Sequence, residues 1–230
     1  MSRVLVDARS HQAIRHLGTE SIHYSEDDAA KWRGRRLKGL DAGLRDRNIE
    51  LVFGDPSEAE LAAASVLMLT GRSDSLPHTA AELQAVLGHH ERGGPVFLMA
   101  NHAGFVAPQR QIAEALGLAV QFEMVTRTDR RPRFVEAPFH ETSHGCGEGL
   151  RIRTSCGMTV GDGFVVTVDD EDETIGSLAA ARDRHGSTGR VMVTASGGHI
   201  ASLDDSKTDL YASASNARWT MNIIAWLCDA

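Results

Sequence analysis

The sequence predicts one α/β domain whose mostly parallel sheet is covered by helices on both faces. Along the first half of the chain, short apolar runs alternate with amphipathic segments, an order that is typical of parallel sheets. The 230 residues contain no linker and no internal repeat, and this length suits a single α/β unit. We therefore expect one domain over residues 1–230, built as a three-layer sandwich.

Unbroken apolar runs mark the predicted core strands. Such runs are typical of strands that are buried on both faces of a sheet. The first strand is predicted from Arg3 to Val6 and ends at Asp7, and further strands are expected at 49–53, 65–70, 95–100, 118–125 and 190–194. We expect the strands that begin near residues 3, 65, 95 and 190 to be central and parallel.

Apolar residues at helical spacing predict the helices. They place helices at 33–48, 79–91 and 106–116, and a last helix that begins after Ser215 and continues to Leu227. Residues 8–31 are polar and show no clear period, so they are predicted to form a long loop.

The segment 126–183 differs from the rest of the chain in composition. It is rich in Gly, Thr and Asp, and its apolar runs at 150–154, 164–168 and 175–181 are short. This pattern predicts a β-rich insertion or an appendage at the edge of the sheet.

Composition excludes several classes of partner. The net charge of −7 argues against broad binding to nucleic acid or to anionic membranes, which attract basic surfaces. No apolar run reaches the length of a membrane span. The three cysteines are too few and too scattered for a disulfide framework, which predicts a cytoplasmic protein. We expect a small polar molecule as partner, and a homo-oligomer remains open.

The predicted carboxyl ends of the strands gather the candidate binding residues. In open parallel sheets, ligands bind in the crevice beyond these ends. Polar or glycine residues follow four of the predicted strands there: Arg9, Gly71, Arg72, Asn101, His102, Ser196, Gly197 and Gly198. The amides of Gly71 or of the Gly197-Gly198 turn could stabilise an anionic oxygen.

Three histidines come within a few residues of strand ends, and His102 is the most informative. Its predicted turn between strand and helix resembles a nucleophile elbow, which raises a side chain above the sheet. Together His11, His102 and His199 could bind zinc, with Asp7 as an oxygen ligand, or act as bases near neutral pH. The alternative is structural: His102 as a helix-entry residue, His199 in a tight turn, and Asp7 bonded to loop amides.

Four segments resemble a known superfamily. They are VDARSH at 6–11, GGPVFLMANHAGF at 93–105, HETSHGCGEGLRIRTSCGMTV at 140–160, and HGSTGRVMVTASGGHI at 185–200 followed by SNARWTMNIIAWL at 215–227. They resemble the class I glutamine-amidotransferase-like superfamily, in the divergent branch with trehalose-utilisation-like proteins and domains of intraflagellar-transport and gliding-motility proteins. The resemblance spans nearly the whole chain and implies a flavodoxin-like fold.

The chain departs from this superfamily where glutaminase chemistry would occur. True glutamine amidotransferases carry a cysteine on the elbow after a central strand, whereas Asn101 and His102 stand there in this chain. Asn101 also replaces the acid of the Asp-His pair in the related branch. Two hypotheses follow. One is a hydrolase of sugars or amides with His102, His11 and Asn101 as catalytic residues; the other is a non-catalytic module that binds a ligand or a protein.

Overall fold

The structure is a computed structural model that describes residues 2–18, 34–135, 140–147, 149–161, 164–168, 177–202, 211–213 and 215–229. The strands are β1 (Ser2–Asp7), β2 (Ile49–Gly54), β3 (Val66–Leu69), β4 (Val96–Met99), β5 (Val120–Arg130), β6 (Arg133–Phe134), β7 (Ile152–Val160), β8 (Phe164–Val168), β9 (Ser177–Arg182) and β10 (Val191–Thr194). The described α-helices are α1 (His11–Leu17), α2 (Lys38–Arg45), α3 (Glu58–Ala62), α4 (Ala80–Glu91), α5 (Ala107–Ala115) and α6 (Asn216–Cys228). Short 3-10 helices span Glu141–Ser143 and Gly198–Ile200.

The main sheet has the order β2-β1-β3-β4-β10-β9-β8-β6. Its first five strands are mutually parallel, whereas β9, β8 and β6 extend it as antiparallel strands. The prediction of a flavodoxin-like α/β fold with central parallel strands is therefore confirmed.

The strand order explains how helices come to cover both faces. From β1 the chain crosses to β2 on one side, and from β3 it crosses to β4 on the other. Because such crossovers are right-handed, the helices of the two crossovers lie on opposite faces. Accordingly α2 packs with α6, while α3, α4 and α5 pack in sequence against one another. The apolar residues of β3 and β4, between these layers, are fully buried.

Two predicted elements differ in the structure. The segment 118–125 was expected as a core strand, but β5 leaves the main sheet and pairs antiparallel with β7 in a two-stranded sheet. The prediction of a loop at 8–31 is wrong where the chain forms α1. The side chain of Ser10 caps this helix by accepting a hydrogen bond from the amide of Ala13, and Gly18 ends the helix in a left-handed conformation. Residues 19–31 of that loop lie outside the described residues.

Candidate functional site

The carboxyl edge of the sheet contains a reversal of strand order. The chain turns to opposite sides after β1 and after β3, and these two strands are neighbours. Such a reversal opens a crevice, because the two connections diverge from each other. The loops nevertheless stay bonded at their base, where the amide of His11 donates to the carbonyl of Gly71 over 2.8 Å. The reversal of strand order thus lies at the edge where the sequence predicted a ligand site.

Its floor is a buried network of charges centred on Arg72. The fully buried guanidinium donates to both carboxylate oxygens of Asp7, at 2.5 and 2.9 Å, and to Oε1 of Glu82 at 2.8 Å. Arg9 pairs with Glu82 as well, and its Nε lies 3.0 Å from Asp55. Because the charges satisfy one another, Asp7 and Arg72 hold the loops of the crevice together.

Two of the three predicted histidines meet above this floor. The rings of His11 and His102 are 6.2 Å apart and nearly perpendicular. Both pack edge-on against Phe105, with ring centroids 4.6 and 4.9 Å away. His11 is almost wholly buried, whereas His102 is partly exposed. His102 is therefore the member of the pair that a ligand can reach.

The hydrogen bonds of His102 define which ring nitrogen is available. Its Nδ1 lies 2.9 Å from the carbonyl of Ala103, which can only accept, so Nδ1 carries the proton. In the neutral ring Nε2 is then an acceptor, and within the described part of the chain it makes no hydrogen bond. The amide of His102 donates to Oδ1 of Asn101, which also accepts from the hydroxyl of Thr154 at 3.5 Å. Asn101 thus orients the turn.

The turn at His102 lacks the backbone strain of a nucleophile elbow. A nucleophile elbow places its residue in a strained backbone conformation. Among the described residues Asn48 is the only non-glycine with positive φ, and His102 has none. The positive φ of the turn, 91°, falls on Gly104, which adopts it readily.

His199 lies apart from the pair. Its side chain is fully buried, with ring centroids 6.0 Å from Phe97 and 5.0 Å from Trp219, and no ring contact joins it to His11 or His102. Burial lowers the pKa of His199 to about 3, outweighing a weaker backbone contact at Ser196 that raises it. This histidine is a core residue.

The geometry gives no support to the predicted zinc site. In the ranges that the structure describes, no group of three or more His, Cys, Asp or Glu side chains is arranged to hold a metal ion. The proposed ligand His199 packs in the core, and both carboxylate oxygens of Asp7 accept from Arg72. The structural alternative for these two residues fits their contacts.

The glycines predicted to bind an anion make contacts within the protein. The amide of Gly198 donates to the hydroxyl of Ser196, which donates to the carbonyl of Thr154 over 2.6 Å. The carbonyl of Gly197 accepts from the side chain of Gln12. At Gly71 an added Cβ would lie 3.1 Å from the carbonyl of Phe105, so the glycine permits close packing of two loops.

Sequence reasoning missed three residues of the site. Glu82 completes the charge network, Phe105 supports both imidazoles, and the hydroxyl of Thr126 accepts from the amide of Ala103 at 3.2 Å. The T-x-x-E spacing of Thr79 and Glu82 is a sequence signal for a capped helix start, although it does not reveal the partner Arg72. No comparable local pattern marks Thr126, because its contact depends on how β5 leaves the sheet.

Comparison with known proteins shows the fold alone. No protein-family model and no curated protein matches the sequence. Among solved structures, the mmIFT52 N-terminal domain is similar with a TM-score of 0.66 and 13% identity, covering 98% of this chain and 97% of that domain. A cytoplasmic protein from Salmonella typhimurium LT2 is similar with a TM-score of 0.66 and 12% identity, and the match covers 99% of both chains. A ThuA-like protein from Bacteroides uniformis is similar with a TM-score of 0.57 and 13% identity, and the match covers 98% of this chain and 91% of that protein.

These similarities show the fold that this chain shares with those proteins. At such low identity they carry no activity over to this chain. In the described ranges no helix has the length and apolar character needed to cross a bilayer.

Proposed function

We propose that this chain is a binding module for a small polar molecule, which it holds in the crevice at the carboxyl edge of the sheet. The observation that supports this proposal is the available Nε2 of His102. The nitrogen belongs to a partly exposed ring, beside the buried ring of His11 and on the edge of Phe105. A few convergent polar groups next to an aromatic ring are the usual lining of a small-molecule site.

The chemistry of His102 indicates what kind of group it would bind. Because Nδ1 donates to Ala103, the free nitrogen of the neutral ring accepts a hydrogen bond. A ligand hydroxyl or amide N–H supplies the matching donor, and the edge of Phe105 suits the carbon skeleton of the ligand. A sugar or an amide combines these features.

One observation favours binding over acyl transfer. Acyl transfer needs a nucleophile, and the unstrained turn carries His102 where true glutamine amidotransferases carry cysteine.

The first test follows the imidazole resonances of the protein by NMR while sugars and amides are added one at a time. We expect a bound compound to shift the His102 signal, and His102→Ala to abolish binding while the far-ultraviolet circular dichroism spectrum stays unchanged. The matched control is His185→Ala, because His185 is exposed on the β9–β10 loop, away from the crevice. Binding that survives in His102→Ala would refute the proposal.

Hydrolysis with His102 as general base is a second candidate, and the same free nitrogen favours it. A neutral imidazole within reach of a ligand hydroxyl or water can remove its proton near neutral pH. Turnover of a bound sugar or amide by the unaltered protein would support this candidate. Binding without turnover by the protein would leave the binding module as the function.

A further inference from the structure

The two-stranded sheet of β5 and β7 crosses the carboxyl edge of the main sheet beside the crevice. From β7, the amide of Cys156 donates to the carbonyl of Ala195, and the carbonyl of Thr154 accepts from Ser196. These bonds fasten β7 to the segment that follows β10. On the other strand, Thr126 reaches Ala103, the residue next to His102. The β5–β7 sheet therefore forms one wall of the crevice.

Thr126 lies in an irregularity of this wall. The pairing of β5 with β7 runs regularly to Glu123 opposite Gly157 and resumes at Arg127 opposite Ser155. Three residues of β5 thus face one residue of β7, which is a bulge. Bulges near binding sites often redirect a side chain. The bulge brings the hydroxyl of Thr126 to the amide of Ala103.

We propose that the backbone N–H of Ala103 is a ligand-binding donor, and that Thr126 occupies it as a latch until a ligand oxygen takes its place. The proposal rests on the proposed function, because it assigns a second contact point in the same crevice. The bond is suited to exchange: it is 3.2 Å long and exposed, and the residue that provides the oxygen is exposed as well.

The latch also narrows the ligand class. The amide of Ala103 requires an acceptor oxygen, while Nε2 of the adjacent His102 requires a donor. Two neighbouring hydroxyl groups meet both requirements, since a hydroxyl can donate and accept. Because the two groups belong to adjacent residues, we assign a vicinal diol such as a sugar as the ligand class. On binding, the diol replaces the Thr126 hydroxyl at Ala103 and releases the bulge of β5.

The experiment needs three variants. Thr126→Ala removes the hydroxyl, Thr126→Ser keeps it, and Thr128→Ala makes the same kind of change at an exposed position of the same strand, outside the bulge. The first measurement is the hydrogen-exchange rate of the Ala103 amide by NMR, without ligand. We expect Thr126→Ala to accelerate it by about three- to tenfold, the range for loss of one hydrogen bond. In Thr126→Ser and in Thr128→Ala, the Ala103 amide should exchange at the same rate as in the unaltered protein.

The second measurement is glucose affinity, followed through the His102 resonance. Thr126→Ala should bind glucose about three- to tenfold more tightly, because the ligand no longer displaces a protein group. The latch would be overturned if Thr126→Ala left the hydrogen-exchange rate of the Ala103 amide or the glucose affinity unchanged. Glucose binding by the unaltered protein would in that case still support the proposed function. If neither glucose nor other sugars shift the His102 resonance in the unaltered protein or in Thr126→Ala, the diol assignment is wrong. If a panel of amides does not shift this resonance either, the proposed function is refuted.

Discussion

Asp7 and Arg72 show what the position of a residue at a strand end does and does not reveal about its role. Arg72 was predicted to bind a ligand and Asp7 a metal ion, because both lie at the ends of core strands. They bind each other, however, at distances of 2.5 and 2.9 Å with no solvent exposure. A sequence places charged residues at the same edge, but it does not tell whether opposite charges meet one another or a ligand, because that depends on distances between loops.

The charge network predicts that Arg72→Met destabilises the protein strongly. The substitution leaves the carboxylates of Asp7 and Glu82 buried without their main partner, which costs about 3–5 kcal/mol in the free energy of unfolding. Arg45→Met is the matched control, because Arg45 is exposed and pairs with Asp41 on the surface of α2, worth about 0–1 kcal/mol. Urea unfolding measures both. Equal losses in the two variants would mean that the buried network adds no stability.

At the scale of elements, hydrophobic pattern predicted most strands and helices but not their partners. The 118–125 segment was expected as a strand of the main sheet, yet β5 pairs with β7 in a separate sheet. Its apolar residues alternate with Gln121 and Glu123, a pattern typical of antiparallel strands with one solvated face. The failure at α1 has another cause: His11–Leu17 is short, and it is defined by its caps at Ser10 and Gly18 rather than by an apolar stripe.

In helix α4, Glu82 belongs both to the N-terminal cap and to the buried charge network, and this double role predicts the effect of Thr79→Ala. Thr79 and Glu82 form a capping box, in which the Thr79 hydroxyl accepts from the Glu82 amide and the Glu82 carboxylate accepts from the Thr79 amide. The same carboxylate accepts from Arg72. Losing the hydroxyl should therefore cost about 1–2 kcal/mol, the upper part of the range for a cap.

Ser57→Ala is the control for this prediction, since Ser57 caps the short helix α3 and its hydrogen bond is exposed. We expect urea unfolding to give a smaller loss for Ser57→Ala than for Thr79→Ala. A Thr79→Ala protein as stable as the unaltered one would show that Arg9 and Arg72 hold Glu82 in place without the cap.

Over the whole molecule, histidine is used more as a core residue than as a site residue. Burial is the main cause of a lowered pKa in six of the described histidines: His16, His78, His89, His90, His140 and His199. The sequence predicted clustering because three histidines follow strands. It could not distinguish His102, on an open turn, from His199, whose 3-10 helix folds under α6. That distinction depends on the packing of Trp219, a contact between distant parts of the chain.

These buried histidines predict that the protein loses stability in mild acid. A histidine whose folded pKa lies below its unfolded value of about 6.5 is neutral in the folded protein, while the unfolded chain takes up a proton. Stability is therefore complete above pH 6.5 and falls as the pH falls toward the folded pKa, which is about 3 for His199 and His78 and about 4 for His90. Urea unfolding at pH 7 and at pH 5 should show the loss.

His199→Phe isolates one contribution to this acid sensitivity. Phenylalanine keeps a ring between Phe97 and Trp219 but cannot be protonated. Since each pH unit below 6.5 costs about 1.4 kcal/mol for one such histidine, the variant should lose about 2 kcal/mol less than the unaltered protein between pH 7 and pH 5. His185→Phe is the control, because it makes the same substitution at an exposed position. If His199→Phe loses as much stability as His185→Phe over this interval, His199 takes up its proton in the folded protein, and the acid sensitivity must arise from the other buried histidines.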